Sequence, residues 1–373
     1  SYLMARGVTL GPLALLRRPR PLPAEGRKIL LVRIDRIGDL VLSTPFLRNM
    51  RELFPSAEIV FLGRSFAREL LAPGRLVDRI LAMDDPQEVR SMSVLAQEGF
   101  DLAIDLHCDY ILQPAFLARR ARAACTVGFD VGGRGALFDI PVPVRGRKHF
   151  VEELLDILRT LAYQPRPYPP EVQLNPQSCV TAGNLLTQEN VGERYAVFHP
   201  GGFYATQRWS AVKFAELADS IAQLGLRPVF IGGKKDRATL EEIRSKMSTQ
   251  AVLLWGQTIG VAAAVIGQST VFVGNNSGPL HIACALNIPS VSTMGPTDPV
   301  RFWPVSQLAR VVHTESLERI SVEEMFVAVR AALGPIETTS QAARTQSGAG
   351  QEPPLAVPGP RRSDKADRRG GVS

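Results

Sequence analysis

Short, nearly unbroken apolar runs recur along the chain, each followed by a stretch with helical spacing. "KILLVRI" precedes "LVLSTPFLRNMRELF", "EIVFLG" precedes "SFARELLA", "DRILAMD" precedes "SMSVLAQEGF", and "FDLAIDLH" precedes "ILQPAFLARRARA". Apolar runs without alternation suit strands covered on both faces, and strands that alternate with helices build parallel sheets. "CTVGFD" reads as one more strand and "HFVEELLDILRTLAY" as a closing helix. The stretch "QPRPYPPEVQLNPQS", Gln164 to Ser178, then carries five prolines in fifteen residues and reads as a linker.

Beyond it the alternation restarts. "RYAVFHPG" leads to "SAVKFAELADSIAQLG", "RPVFIGG" to "DRATLEEIRSKM", "AVLLWG" to "TIGVAAAVIGQS", and "VFVGNNSG" to "PLHIACALN". "PSVSTMG" ends the strand series, and "SVEEMFVAVRAALG" is a final amphipathic helix. The expected fold is α/β, with two Rossmann-like, doubly wound parallel-sheet domains facing across a cleft. Boundaries follow from the pattern: an arm over 1–27, a first domain over 28–165, a linker over 166–184, a second domain over 185–320, a closing helix over 321–338 and a tail over 339–373.

With 373 residues, 45% of them hydrophobic, two domains can each bury a core. The net charge of +7 invites a nucleic-acid reading until it is located. Arg6, Arg17, Arg18, Arg20, Arg27 and Lys28 crowd the first residues, and Arg344, Arg361, Arg362, Lys365, Arg368 and Arg369 the last. The body between is close to neutral, so no nucleic-acid partner is expected. The arm joins leucines to arginines, a pairing that suits an anionic membrane surface, but Gly7, Gly11 and Pro12 spoil a long helix. It lacks the uninterrupted apolar core of a signal peptide. The tail, rich in Ser, Gly, Pro and Arg, reads as disordered. Cys108, Cys125, Cys179 and Cys284 are scattered without metal-ligand spacing, so reduced thiols in a cytoplasmic protein and no metal are expected.

Candidate chemistry clusters where strands hand over to helices. In the second half, "FHPGGFYATQRW" offers Gly201 and Gly202 for tight backbone geometry, and Thr206, Gln207 and Arg208 as donors to an anion. "FIGGKKDR" repeats the arrangement with Gly233 and Asp236; Asp236 either caps a helix or accepts ribose hydroxyls. In "VGNNSGPLHIACAL", Asn276, Ser277 and Gly278 form a polar turn into a helix with Pro279 in its first turn and His281 just behind, structural or catalytic. Trp209 and Trp303 are packing residues or ring platforms, and Lys234 and Lys235 solvated charges or ligands. No GxGxxG, Walker A, GxSxG or HExxH motif is present.

The first half differs. Its turn "RIGD" holds one glycine, Gly38, then Asp39, whose carboxylate would repel a phosphate. Asp39 either caps the helix after it or faces a hydroxyl to be deprotonated, with Arg36 and Gly38 beside it. Phosphate-friendly loops in one domain opposite a single acid in the other suit a two-substrate transferase.

These same segments, "ILLVRIDRIGDLVLSTPFLRNMRELFPSAEIVFL", "FDLAIDLH", "FHPGG…QRWSAVKFAELA", "GGKKDR", "NNSGPLHIACALNIPSV" and "MGPTDPVRFWP", resemble the ADP-heptose:lipopolysaccharide heptosyltransferases, glycosyltransferase family nine, over roughly residues 28–335. The resemblance implies a GT-B architecture and an inverting transfer of heptose from an ADP-sugar to a lipid-linked saccharide acceptor. It implies Asp39 as general base, donor contacts from the second-half residues named above, no cofactor, and a cytoplasmic site at the inner face of the inner membrane. Two positions depart from the family pattern: Gln207 stands where a lysine is frequent, and Asn276 where an aspartate is common. Alternatives of other classes are a nucleotide-sugar epimerase of the same architecture and a non-catalytic nucleotide-sugar-binding relative.

Overall fold

The computed structural model describes residues 20–23, 26–71 and 74–334. Most of the basic arm and the whole of the tail lie outside the described residues.

Strands β1 (Lys28–Val32), β2 (Glu58–Gly63), β3 (Arg79–Ala82), β4 (Leu102–Asp105), β5 (Cys125–Asp130) and β6 (Ile140–Pro143) form one sheet. The others, β7 (Tyr195–His199), β8 (Arg227–Gly232), β9 (Val252–Trp255), β10 (Val271–Asn275), β11 (Ser290–Met294) and β12 (Ala309–His313), form a second. The orders are β3-β2-β1-β4-β5-β6 and β12-β11-β10-β7-β8-β9, and every pairing is parallel. Each half is thus doubly wound, as the alternation predicts. The order reverses direction between β1 and β4 in one sheet and between β7 and β10 in the other, and crevices open at such switch points. Central strands are buried throughout: Ile29 to Val32 and Ala196 to Phe198 have no exposed surface.

Two edge strands are absent from the sequence reading. β6 is "IPVP", whose prolines cannot donate to a ladder and fit only at an edge, and β12 is only half-buried. The linker also differs. A helix, Pro176–Gln188, occupies its second part, started by the Asn175 side chain accepting from the Gln177 N–H at 2.8 Å and by Pro176 in its first turn. Upstream of that helix the proline-rich chain is extended and bonded to the first half. Buried Asn49 accepts from the Arg166 N–H at 2.7 Å and donates to the Arg166 carbonyl at 3.0 Å, while Thr44 Oγ1 accepts from the Glu171 N–H at 2.8 Å. A segment without ladder partners needs such side chains to satisfy its backbone. The last helix, Val322–Leu333, carries a reciprocal Ser321–Glu324 cap and packs on the second half.

Candidate active site

Both switch points open into one cleft of about 550 Å³, within the usual range for small-molecule sites. Its first-half wall is built by the segment after β1. The helix Ile37–Leu53 begins at Ile37, so Gly38 and Asp39 lie inside its first turn, not in a loop before it. Arg36 is the residue at the cap position and makes no side-chain cap, and Asp39 is no cap either. The capping reading of Asp39 therefore fails: its carboxylate projects into a buried cluster of charge.

Arg33, itself buried, lies 3.5 Å from Asp39 and forms a 2.8 Å ion pair with Asp35. Burial pushes Asp39 up to about 6; Arg33 opposes this, and the neighbouring Asp35 carboxylate adds to it. Burial also acts on Asp35, yet Arg33 and His107 hold that carboxyl below its usual range. Behind Asp35 stands His107, from the end of β4, with Nε2 3.7 Å from the Asp35 carboxylate and Nδ1 2.9 Å from Asp105. Asp105 is paired in turn with Arg134, which has no exposed surface and also donates to the carbonyls of His107 (2.8 Å) and Asp109 (2.6 Å). None of Arg33, Asp35, Asp105, His107 and Arg134 is singled out by the sequence reading. One signal existed: Asp35 and Asp39 are the only acids in "RIDRIGDL", four residues apart.

The second-half wall comes from β7, β8 and β10. Asn275, fully buried at the end of β10, ties its loops together. Its amide donates to the carbonyls of Pro200 (2.8 Å) and Gly201 (3.2 Å), and its oxygen accepts from the Trp209 N–H (3.1 Å) and Thr293 Oγ1 (2.9 Å). Ser277 stands at the start of helix Gly278–Ala285 without capping it; its hydroxyl instead meets His199 Nδ1 at 3.0 Å. The first N–H groups of that helix thus have no side-chain acceptor and can receive an anion. Burial lowers His199 to about 4 and His281 to about 3, so both rings are neutral near pH 7. Asp236 accepts from the Gly233 N–H at 2.9 Å, which fixes the turn after β8 and leaves helix Arg237–Lys246 without a side-chain cap.

Of the residues expected to contact a donor, Gly202, Gln207, Gly233, Asp236, Asn276, Ser277, Gly278, Pro279 and His281 line the cleft, as do Arg36, Gly38 and Asp39 from the opposite side. Gly201, Thr206 and Arg208 stand outside its wall. Arg208 turns back to donate from Nε (3.0 Å) and Nη2 (2.8 Å) to the Gly202 carbonyl, and Thr206 is exposed. Gln207 donates to Thr297 Oγ1 at 3.1 Å, and Asn276 donates to the Phe302 carbonyl at 3.3 Å. Trp209 is buried with its N–H on the Ile320 carbonyl, a packing residue. Ile231, Leu254, Ile259 and Ala262 give the second-half wall an apolar stretch, and Arg36, Arg64 and Lys235 supply positive charge.

Two doubly wound domains sharing one cleft are the GT-B architecture. The family profile described as "Glycosyltransferase family 9 (heptosyltransferase)" matches residues 89–325, and the chain belongs to that family; it is a glycosyltransferase. Among relatives, lipopolysaccharide heptosyltransferase 3 of Escherichia coli is 26% identical over 284 residues, 71% of this chain and 82% of that protein. Lipopolysaccharide heptosyltransferase 2 of E. coli K12 is 27% identical over 76% of this chain and 87% of its own. Among solved structures, E. coli ADP-heptose lipopolysaccharide heptosyltransferase II superposes with a TM-score of 0.71 at 25% identity, covering 82% of this chain and 98% of that one.

Proposed function

We propose that the protein transfers heptose from ADP-heptose to a hydroxyl of a lipopolysaccharide core acceptor with inversion at the anomeric carbon, Asp39 acting as general base. The observation that carries this reading is the buried Asp39 carboxylate, raised to about 6, on the cleft wall opposite the uncapped start of helix Gly278–Ala285. A base with that proton affinity is ionised at neutral pH and still strong enough to take a proton in the transition state.

In this reading the acceptor oxygen attacks the anomeric carbon from the first-half side while its proton passes to Asp39. The bond from that carbon to the phosphate oxygen breaks, and the electron pair leaves with ADP. The amides at Ser277–Gly278 and the charges of Lys235 and Arg36 receive the diphosphate. The apolar stretch of Ile231, Leu254, Ile259 and Ala262 suits a base ring, and Asp236, whose backbone partner is already fixed, stands at the cleft wall for ribose hydroxyls. Neutral His281, with a buried Nδ1 that lacks a hydrogen-bond partner, suits a donor to the leaving group better than a fixed charge. No metal or cofactor is required. The acceptor's lipid places the reaction at the inner face of the cytoplasmic membrane; among the described residues no helix is long and apolar enough to cross it.

The test is incubation with ADP-heptose and a heptose-deficient lipopolysaccharide core, with product analysed by mass spectrometry and anomeric configuration by NMR. Heptosylated core with inverted configuration, abolished in Asp39→Asn, is expected. Interconversion of donor epimers without transfer, or tight ADP binding with no turnover, would replace this reading with an epimerase or a binding protein.

A further inference from the structure

Asp39 is one of two carboxylates facing the cleft from the same segment; Asp35 also lines it. The two side chains lie within hydrogen-bonding reach of each other. Asp35 Oδ1 is buried and has no hydrogen bond of its own, because its 2.8 Å approach to Arg33 Nε is an ion pair off hydrogen-bond geometry. An oxygen of that kind is an acceptor waiting for a proton donor. It cannot take one from His107 as the ring stands. His107 Nε2 is 3.7 Å from Asp35, beyond hydrogen-bond distance, and faces the N–H of Ile34 at 3.4 Å, while Nδ1 faces the Asp105 carboxylate. Asp39, once protonated, is a donor within its reach.

We propose that Asp35 is a positioning residue for the transfer reaction: it stays ionised, receives a hydrogen bond from the proton that Asp39 takes from the acceptor, and thereby holds that proton on Asp39. This rests on the base role of Asp39 argued above. During the step the acceptor O–H bond breaks and an Asp39 O–H bond forms, directed at Asp35; the acceptor oxygen's electrons make the glycosidic bond, and ADP leaves with the pair from the broken carbon–oxygen bond. Asp35 changes neither charge nor covalent state. The chain Arg134–Asp105–His107 behind it keeps it in place, with Asp105 and Arg134 both without exposed surface. The charged and titratable groups acting on the carboxylate pair are Arg33 and Arg36 from the same segment and His107 from just after β4. The arginines do not titrate across the pH window of the test, and repeating the comparison in a His107→Gln background separates His107 from the carboxylate pair: the shift of the acid limb caused by Asp35→Asn is expected to persist there.

The readout is the pH dependence of kcat for wild type, Asp35→Asn, Asp35→Glu and Asp39→Asn, with ADP affinity and thermal melting as controls for folding. In Asp35→Asn the acid limb of the profile is expected to move down by about one pH unit and the plateau to fall roughly tenfold, since the negative neighbour that raises the base is gone. Asp35→Glu, which keeps the charge, is expected to leave the limb near its wild-type position, and it serves alone if Asp35→Asn does not fold: loss of the limb's position in Asp35→Glu with normal melting contradicts the proposal. An unmoved limb in a folded Asp35→Asn overturns it and assigns Asp35 a structural role. Full activity in Asp39→Asn instead overturns the base assignment itself, a separate result.

Discussion

Gly38 and Gly278, one from each half of the molecule, meet at the starts of the two helices that flank the cleft. A Cβ on Gly38 would lie 3.4 Å from the Gly278 Cα, and one on Gly278 would lie 3.0 Å from Ile37 Cβ and 3.2 Å from the Gly38 nitrogen. The pair sets how closely the wall that carries Asp39 approaches the uncapped helix opposite. Gly278→Ala is expected to force the halves apart, costing about 1 kcal/mol and lowering the melting temperature by a few degrees. Transfer should fall more than ADP affinity does, because ADP contacts one wall and the reaction needs both. Calorimetry, ADP titration and turnover on one preparation separate the effects; unchanged turnover would show that the spacing has slack.

Removing the charge at position 39 should trade activity for stability. Asp39 is raised to about 6 in the folded protein against about 4 in an unfolded chain, so its ionised form opposes folding, and that penalty grows as pH rises from 4 to 6 and is complete above. Asp39→Asn is therefore expected to melt higher than wild type at pH 7.5, by on the order of 1–2 kcal/mol, and to match it more closely near pH 4. Its turnover should drop about a hundredfold or more while ADP binding holds. In wild type, turnover should rise through pH 6 as Asp39 ionises. A variant that melts lower than wild type at pH 7.5 would contradict the burial argument.

Asn275 tests how the donor wall is assembled. It satisfies four partners, three from the segment after β7 and one from β11, without any exposed surface. Asn275→Ala leaves two carbonyls and an N–H group without partners and is expected to cost about 2–4 kcal/mol, with weaker ADP binding. Asn275→Asp should be worse at neutral pH, since a carboxylate would face the carbonyls of Pro200 and Gly201. That acid's proton would be held to higher pH in the folded state, so its melting temperature should recover as pH falls, a trend Asn275→Ala should lack.

Gln207 reaches the cleft at the point where the family pattern carries a lysine, while Arg208 is turned onto the Gly202 carbonyl. Placing a cation there by Gln207→Lys is expected to tighten ADP several-fold at low salt, with the gain shrinking at high salt. Isothermal titration at two ionic strengths checks this. No change at either would place the diphosphate away from residue 207.

The doubly wound halves were legible because strands buried on both faces leave unbroken apolar runs such as "KILLV" and "YAVFH". Strand β6 was hidden by its prolines, and helix Pro176–Gln188 by the prolines around its start. The turns at Ser277–Gly278 and Gly232–Gly233 were legible through their composition. What sequence could not reveal was the cluster behind Asp39. Asp35 meets His107 only because β4 lies against β1 across a switch in strand order, and Arg134 reaches Asp105 from the turn after β5. Such neighbours are set by topology, and nothing in a local motif announces them. Arg208 misled for a different reason: its residue type suits an anion, but its nearest acceptor is its own loop.

The linker's bonds to the first half run on to Gln173, whose N–H donates to the Leu70 carbonyl at 2.9 Å, and the helix capped by Asn175 belongs to the second half, packed beside Ile259–Gly267. Among the described residues the chain does not return, since Val322–Leu333 stays with the second sheet. The two bodies are therefore joined like a hand to a forearm through a wrist of one or two residues at Leu174, and the proline-rich stretch before it belongs to the forearm. Any movement of one half against the other turns about that wrist and has to release the ties of Arg147 to Asp298 and of Arg301 to Glu153 across the cleft.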